Sequence, residues 1–339
     1  MKKDQKKIQL ALQGGGAQGA FTWGVLDQIL LDERVKIEAI SGTSAGAMNA
    51  VVMAYGLTVG GRDEARRLLR AFWRKVSVAA SLLPFHPSVF DRMTSGYDIR
   101  HSPSFMMMDT MTRIFSPYQF NMLDFNPLRE ILEELVDFEV LRKNCTKIKL
   151  FINATHVRTG KIKVWETEEL TIEKVMASAC LPHIFKTVWV DGEPYWDGGY
   201  SGNPAIFPLI YGAESQDVVI VQINPLNLEE VPTTPNDILD RVNEISFNSA
   251  LMREMRAIAF VSKLKETGKL NSNYKNMRIH IIDAEEILSG LGRMSKLNAD
   301  WDFFNYLFDT GIQATQDWLE ENYDKIGEES SINIKEVYL

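Results

Sequence analysis

Two glycine-built turns, each set between an apolar run and a helix-like segment, leave this chain few folds to choose from. The first is Gly14-Gly15-Gly16-Ala17-Gln18-Gly19 and the second is Gly42-Thr43-Ser44-Ala45-Gly46. Strand-like runs precede them, Ile8 to Leu12 and Val35 to Ile40, and helix-like segments follow, Ala20 to Leu31 and Ala47 to Leu57. Strand, glycine turn, helix, strand, serine turn, helix is the pattern of a parallel sheet. Both turns then leave its carboxyl edge, where α/β proteins bind ligands. If the two strands are neighbours, the loops face each other.

The serine turn carries the sharper chemistry. G-x-S-x-G between a strand and a helix is a nucleophile elbow, a tight reversal that lifts the hydroxyl of Ser44 above the sheet edge. Gly42 and Gly46 stand where a β-carbon would collide. The N–H of Ala45 would point at an oxygen bound beside Ser44, and the helix that follows directs its positive end there. Against this stands the plain alternative of a small-residue turn at a tight crossover. The triple-glycine turn also has two readings. It is either a dinucleotide loop or an oxyanion hole built from the N–H groups of Gly15, Gly16 or Ala17, with Gly14 and Gly19 as support. A dinucleotide loop expects a carboxylate at the end of the second strand, but that strand ends Ala39-Ile40-Ser41-Gly42. The oxyanion hole is favoured.

Composition narrows the class. The 339 residues are 45% hydrophobic and 24% charged, as in an ordinary globular protein, and length alone suggests about two domains. A net charge of -8 argues against nucleic acid and against adhesion to anionic lipid through a basic face. Two cysteines, Cys145 and Cys180, make no disulfide framework and read as buried apolar side chains. The five histidines form no metal-ligand cluster, and neither metal nor cofactor is expected. The basic start Met1 to Lys7 precedes too short an apolar run for a signal peptide. No run approaches the roughly 18 apolar residues of a membrane span. The cytoplasm is the expected location, with peripheral membrane contact open.

Further along, Arg62 to Val76 has helical spacing. From Ser77 to Phe125 the period is lost among Pro84, Pro87, Pro103, Pro117 and six of the fourteen methionines. That stretch suits a lid or acyl-chain groove, or a secondary core. Asn126 to Phe138 is helical, Ile148 to Ala154 and Lys161 to Glu166 form a hairpin with His156 in a loop, and Thr171 to Ala179 is helical. Two Asp-Gly pairs follow. Asp191-Gly192 lies between β-prone runs and is a hairpin turn. Asp197-Gly198-Gly199 has no such structural excuse, so Asp197 is the better candidate for chemistry. Asp217 to Ile223 and Met277 to Ile282 are buried strands. His280 in the latter reads as a packed histidine. Asp237 to Glu266 and Asp300 to Tyr323 are amphipathic helices whose stripes read as core, and the tail after Ser331 is β-prone.

The three motifs in this order resemble the patatin-like phospholipase family. So do Ala177-Ser178-Ala179-Cys180-Leu181-Pro182 before the Asp-Gly-Gly loop and Gly202-Asn203-Pro204 after it. The resemblance covers about the first two-thirds of the chain. It implies a three-layer α/β/α fold with a mostly parallel central sheet, and a Ser44–Asp197 dyad that cleaves lipid acyl esters without a metal. Gln18 departs from the Arg or Lys usual there, which removes a cation that would grip an anionic head group. The expected organisation is a catalytic core over 1–225, with a lid-like insertion at 77–125, and a C-terminal extension over 226–339 packed on it.

A dyad also fits what is missing. A triad on a serine elbow places its histidine after the acid, and only His280 follows Asp197. Asp197 must then take the proton of Ser44 itself, which requires its pKa to rise by desolvation. The expected activity is a phospholipase A or lysophospholipase-like acyl-ester hydrolysis. An acyl thioesterase or acyltransferase with the same dyad is the alternative. A dinucleotide-binding module and a catalytically silent lipid binder are further rivals. Head group, chain length and oligomeric state are not legible.

Overall fold

The first two strands lie side by side, as the paired glycine turns require. In a computed structural model that describes residues 5–81, 97, 99, 102–228, 230–270, 274–291 and 293–339, β1 (Lys6–Leu12) runs parallel to β2 (Val35–Gly42), with Leu12 opposite Gly42. Both chains therefore leave the sheet at the same edge. The other strands are β3 (Lys149–His156), β4 (Ile162–Glu166), β5 (Val188–Val190), β6 (Glu193–Asp197), β7 (Asp217–Val221) and β8 (Arg278–Ile282). They complete one eight-stranded sheet in the order β5-β6-β3-β2-β1-β7-β8, with β4 paired to β3. The five strands from β3 to β8 along that path are mutually parallel, while β4 and β6 run antiparallel to β3, and the edge strand β5 runs antiparallel to β6.

Strand alternation divides the core into two layers. Leu10, Leu12, Val219, Val221 and Ile282 face one apolar cluster, while Ala11, Val218, Ile220, Ile279 and Ile281 face the other. The first cluster is covered by α1 (Gly19–Leu31), α2 (Ala45–Val59), α3 (Arg62–Ser81) and the helix Trp301–Asn322. The helices Phe207–Gly212 and Pro235–Glu266 cover the second. The result is a three-layer α/β/α fold.

One fork in the sheet positions the site. Phe151 to Thr155 pair with β4 along one edge of β3, so β2 and β6 must share the other edge. β2 occupies that edge up to Ile152, opposite Gly42, and β6 takes it over from Ala154, opposite Asp197. The end of β6 is thereby aimed at the turn that leaves β2. Asp191 and Gly192, both at positive φ, make the two-residue turn into β6, as their sequence predicts.

The C-terminal third is woven into the same framework. β8 extends the sheet beside β7. α1 crosses the helix Trp301–Asn322 backbone to backbone, because a β-carbon on Gly24 would strike the Phe308 carbonyl and one on Gly311 the Phe21 carbonyl.

Some expectations are corrected. α3 continues to Ser81, and part of the aperiodic stretch is helical, Pro103–Ile114, with Pro103 in its first turn, where no N–H is needed. Pro84 and Pro87 lie outside the described residues. His156 ends β3 rather than lying in a loop. The tail is a helix, Ile334–Tyr338, instead of a strand; Asn333 caps it and the Tyr338 hydroxyl donates to Gln222 at 2.9 Å. On the helix Pro235–Glu266, Leu251, Met255 and Ile258 are core, but Ile238, Leu239, Val242 and Ile245 are exposed.

Candidate active site

The elbow forms as its sequence demands. Ser44 sits at φ 55° and ψ -121°, between β2 and the first residue of α2, in a conformation that costs a non-glycine residue energy. Several contacts hold it there. The Ser44 N–H donates to Ser178 Oγ at 2.9 Å, and Thr43 Oγ1 lies 2.6 Å from Asn153 Oδ1 and 2.8 Å from the Gly202 carbonyl. Ser178 and Asn153 are fully buried.

Asp197 is fully buried as well. Its Oδ1 accepts the Gly199 N–H at 2.7 Å. Desolvation pushes the carboxyl up to about 7, against the opposing effects of that N–H and of the nearby Ser44 hydroxyl, both of which favour the charged form. Among the described residues, Oδ2 has no hydrogen-bond partner of normal geometry. The double glycine has a specific use: it lets the loop pass between Asn153 on one side and Phe247 on the other, where β-carbons would collide with both.

The segment Ala177 to Pro182 joins the two residues. Ser178 takes the Ser44 N–H, and the Cys180 carbonyl accepts the Asp197 N–H at 2.8 Å. Cys180 itself is buried, its thiol pushed up to about 12 by desolvation, with Sγ 3.1 Å from the Lys186 carbonyl. It is a packed side chain, as its sequence context suggests.

The glycine loop is held from behind by buried amides. Asn203 Oδ1 accepts the Gly14 N–H at 2.6 Å, and Asn224 Nδ2 donates to the Gly14 carbonyl at 2.8 Å. Gln13 Oε1 takes the N–H groups of Ile223 and Asn224, each at 2.9 Å. Gly15, Gly16, Ala17 and Ala45 line one cavity together with Ser44. All four residues expected to form the oxyanion hole thus meet at the elbow. The cavity holds about 330 Å³, and its far walls are largely apolar, including Phe72, Trp73, Leu128, Ile131 and Phe304. Gln18 does not line it. That side chain is buried and donates to Ser295 Oγ at 2.9 Å, so it has no access to a head group.

His280 is buried, 3.1 Å from Asp217 and edge-on to Trp318. Arg278, together with His280, holds the Asp217 carboxyl well below its usual range despite burial. His183 lies at the cavity wall. Ser178, Asn153 and Asn224 were missed as supports by reasoning from sequence, because a buried hydroxyl or amide has no local signature until its partner is in place.

These features define a three-layer α/β protein with a serine elbow under an apolar cavity. The chain belongs to the patatin-like phospholipase family, whose profile matches residues 10–210. Lipid acyl hydrolysis is the general activity of that class, and a lipid is its substrate. No curated protein matches the chain at a significant level. Among solved structures, VipD from Legionella pneumophila is similar at 17% identity and a TM-score of 0.40, with 91% of this chain and 67% of that one covered. The type III effector protein ExoU is similar at 14% identity and a TM-score of 0.37, over 94% of this chain. The chain spans only 54% of that effector.

Proposed function

We propose that the protein is a serine-dependent lipid acyl hydrolase in which Ser44 is the nucleophile and Asp197 its general base. The observation that carries this reading is a fully buried carboxyl, raised to about 7, beside Ser44, the only serine at positive φ among the described residues. A base poised near neutrality is matched to its task.

In this reading Ser44 Oγ attacks the ester carbonyl while Asp197 removes its proton. The carbonyl oxygen becomes an oxyanion that the N–H groups of Gly15, Gly16, Ala17 and Ala45 would receive, a role supported by the fact that all four residues line the cavity with Ser44. Collapse breaks the ester C–O bond, and Asp197 returns its proton to the departing alcohol. Water, deprotonated by the same carboxylate, then releases the fatty acid and restores Ser44. A fluorophosphonate probe should label the wild-type protein and leave Ser44→Ala unlabelled. Equal labelling of both would remove Ser44 from the role.

The surroundings of the cavity support substrate capture from a membrane surface. The helix Pro103–Ile114 contributes Met108 and Thr112 to the wall, and beyond it Met122 and Leu123 are 76% and 93% exposed. Asn243 also lines the cavity, while Ile238, Val242 and Ile245 of the same helix are exposed. No helix among the described residues is long and apolar enough to cross a membrane. The proposal therefore includes a peripheral association, with the cytoplasm as the expected compartment. Met122→Asp with Leu123→Asp should reduce turnover of liposomal phospholipid about tenfold or more relative to a monomeric soluble ester. A co-sedimentation assay with the same liposomes should show the matching loss, and unchanged sedimentation would count against this surface.

A further inference from the structure

We propose that Phe247 is a positioning residue for the general base: its ring, supplied by the helix Pro235–Glu266, seals the Asp197 carboxyl and the Gly199 N–H that donates to it off from the cavity. The claim rests on the acyl-hydrolase reading above. Phe247 lines the cavity together with Ser44, Ala179 and Tyr200, whereas Asp197 does not line it and is fully buried. The helix lies beyond residues 10–210, which match the family profile, so this part of the wall comes from the C-terminal third of the chain.

The backbone of Asp197 is held by the sheet and by the segment before it. Its N–H donates to the Cys180 carbonyl at 2.8 Å, its carbonyl accepts the Thr155 hydroxyl at 2.8 Å, and it pairs with Ala154 on β3. Phe247 reaches the carboxyl differently, across Gly199. A β-carbon on Gly199 would collide with the edge of the Phe247 ring and stand only 3.0 Å from Asp197 Oδ1. Ring and carboxylate are therefore too close to admit a water molecule between them, and the ring lies on the peptide whose N–H the carboxylate accepts. Two contacts fix the ring in place. Tyr200 packs edge-on against it, with centroids 5.2 Å apart. The next residue, Asn248, is buried and donates to the Pro225 carbonyl at 2.9 Å, which pins this turn of the helix to the loop after β7.

The chemical consequence follows from what each neighbour presents to the carboxyl. β3 brings Asn153 and Thr155 to this loop, which carry no charge, and the elbow brings the Ser44 hydroxyl. The segment Ala177 to Pro182 brings the Cys180 thiol, the titratable group that faces Asp197, and the carboxylate opposes its ionisation. The helix Pro235–Glu266 brings an apolar ring. Desolvation is the leading cause that lifts the carboxyl to about 7, and an aromatic ring desolvates without offering a hydrogen bond in return. A seal of this kind strengthens the base and adds no group that could exchange a proton with it.

The test compares wild type, Phe247→Ala, Phe247→Val and Phe247→Leu as full-length chains, each also combined with Asp197→Asn. The pH profile of kcat/KM is measured with monomeric dihexanoylphosphatidylcholine. Opening the wall should move the acid limb to lower pH, by about one unit in Phe247→Ala. At pH 5.5 that variant should then keep roughly tenfold more of its own plateau rate than wild type does. Phe247→Val, which retains more packing and carries the test if the alanine variant does not fold, should shift the limb in the same direction by less. Phe247→Leu restores an apolar cover and should return the limb to the wild-type position. A second readout needs no turnover. The melting-temperature gap at pH 8 between each protein and its Asp197→Asn counterpart should narrow by about half or more in Phe247→Ala and persist in Phe247→Leu. An unmoved limb and an unchanged gap in the alanine and valine variants would overturn the proposal, even if both melt earlier, because the ring would then be packing alone. Equal shifts in all three variants would overturn it too, since the leucine would not have restored the seal. A narrowed gap in a protein that hydrolyses no ester would end the hydrolase reading and leave the seal standing. Hydrolysis with a limb and a gap indifferent to position 247 would do the reverse.

Discussion

Asp197→Asn should reduce turnover by at least about 10⁴-fold, as expected when a member of a catalytic unit is removed, and should raise thermal stability at pH 8. The two effects share one cause. Burial lifts the carboxyl from 3.8 to about 7, so at pH 8 the wild-type protein carries a fully buried anion that the unfolded chain would solvate. The folded state binds more protons than the unfolded state between those two values. The stabilisation linked to this group is therefore fully present below about 3.8 and is lost as pH rises through about 7.

Asparagine has the same shape, can still accept the Gly199 N–H through Oδ1, and carries no charge to desolvate. Its melting temperature should exceed that of wild type at pH 8 by several degrees, and the gap should shrink toward pH 5. Glu254, raised to about 7 by burial although it accepts the N–H groups of Ile206 and Phe207, contributes the same trend to both proteins and cancels in the difference. In wild type, the same ionisation should give kcat/KM an acid limb near pH 7, since only the carboxylate can accept the proton of Ser44. Turnover retained by the folded Asn variant would remove Asp197 from the chemistry, and a melting temperature lowered equally at every pH would show that it is only a structural acceptor.

The second large effect concerns stability, far from the elbow. Gly311→Val should cost at least about 3 kcal/mol, above the usual penalty for an overpacked core, because the added carbons meet backbone that cannot yield. Gly311 lies against the Phe21 carbonyl, and Gly24 on α1 lies reciprocally against Phe308. α1 begins where the glycine loop ends, so the crossing supports the site from beneath. Urea denaturation should show a lower midpoint, and activity at low temperature should survive in the fraction that remains folded. A variant with an unchanged midpoint would mean that the two helices can separate without cost. The same reasoning predicts that a chain cut after residue 225 would not fold, since β8 and the helix Trp301–Asn322 are built into the sheet and its first cluster.

The local devices were legible without coordinates. Glycines at 42 and 46 around a serine, after a β-prone run, specify an elbow, because few other residues permit that turn. Asp191-Gly192 specified a hairpin for the same kind of reason, and the apolar alternation around Val219 and Ile281 specified buried strands. Such signals are short in range: backbone conformation and period are properties of neighbouring residues. The helix Pro103–Ile114 was not foreseen and the C-terminal tail was misjudged, because such elements are decided by what they pack on. Tyr338, for example, is fixed by Gln222, more than a hundred positions away.

What only the tertiary structure decided is where the pieces meet. That Asp197 ends a strand aimed at Ser44 follows from the fork along β3, a property of pairing between distant strands. That Ser178 holds the elbow and that Gln18 faces Ser295 rather than the cavity are equally non-local. A hydroxyl, an amide or an ammonium carries the same chemistry anywhere in a chain. Its role is set by the partners and the dielectric that folding brings to it, and these do not exist until the sheet has closed its order.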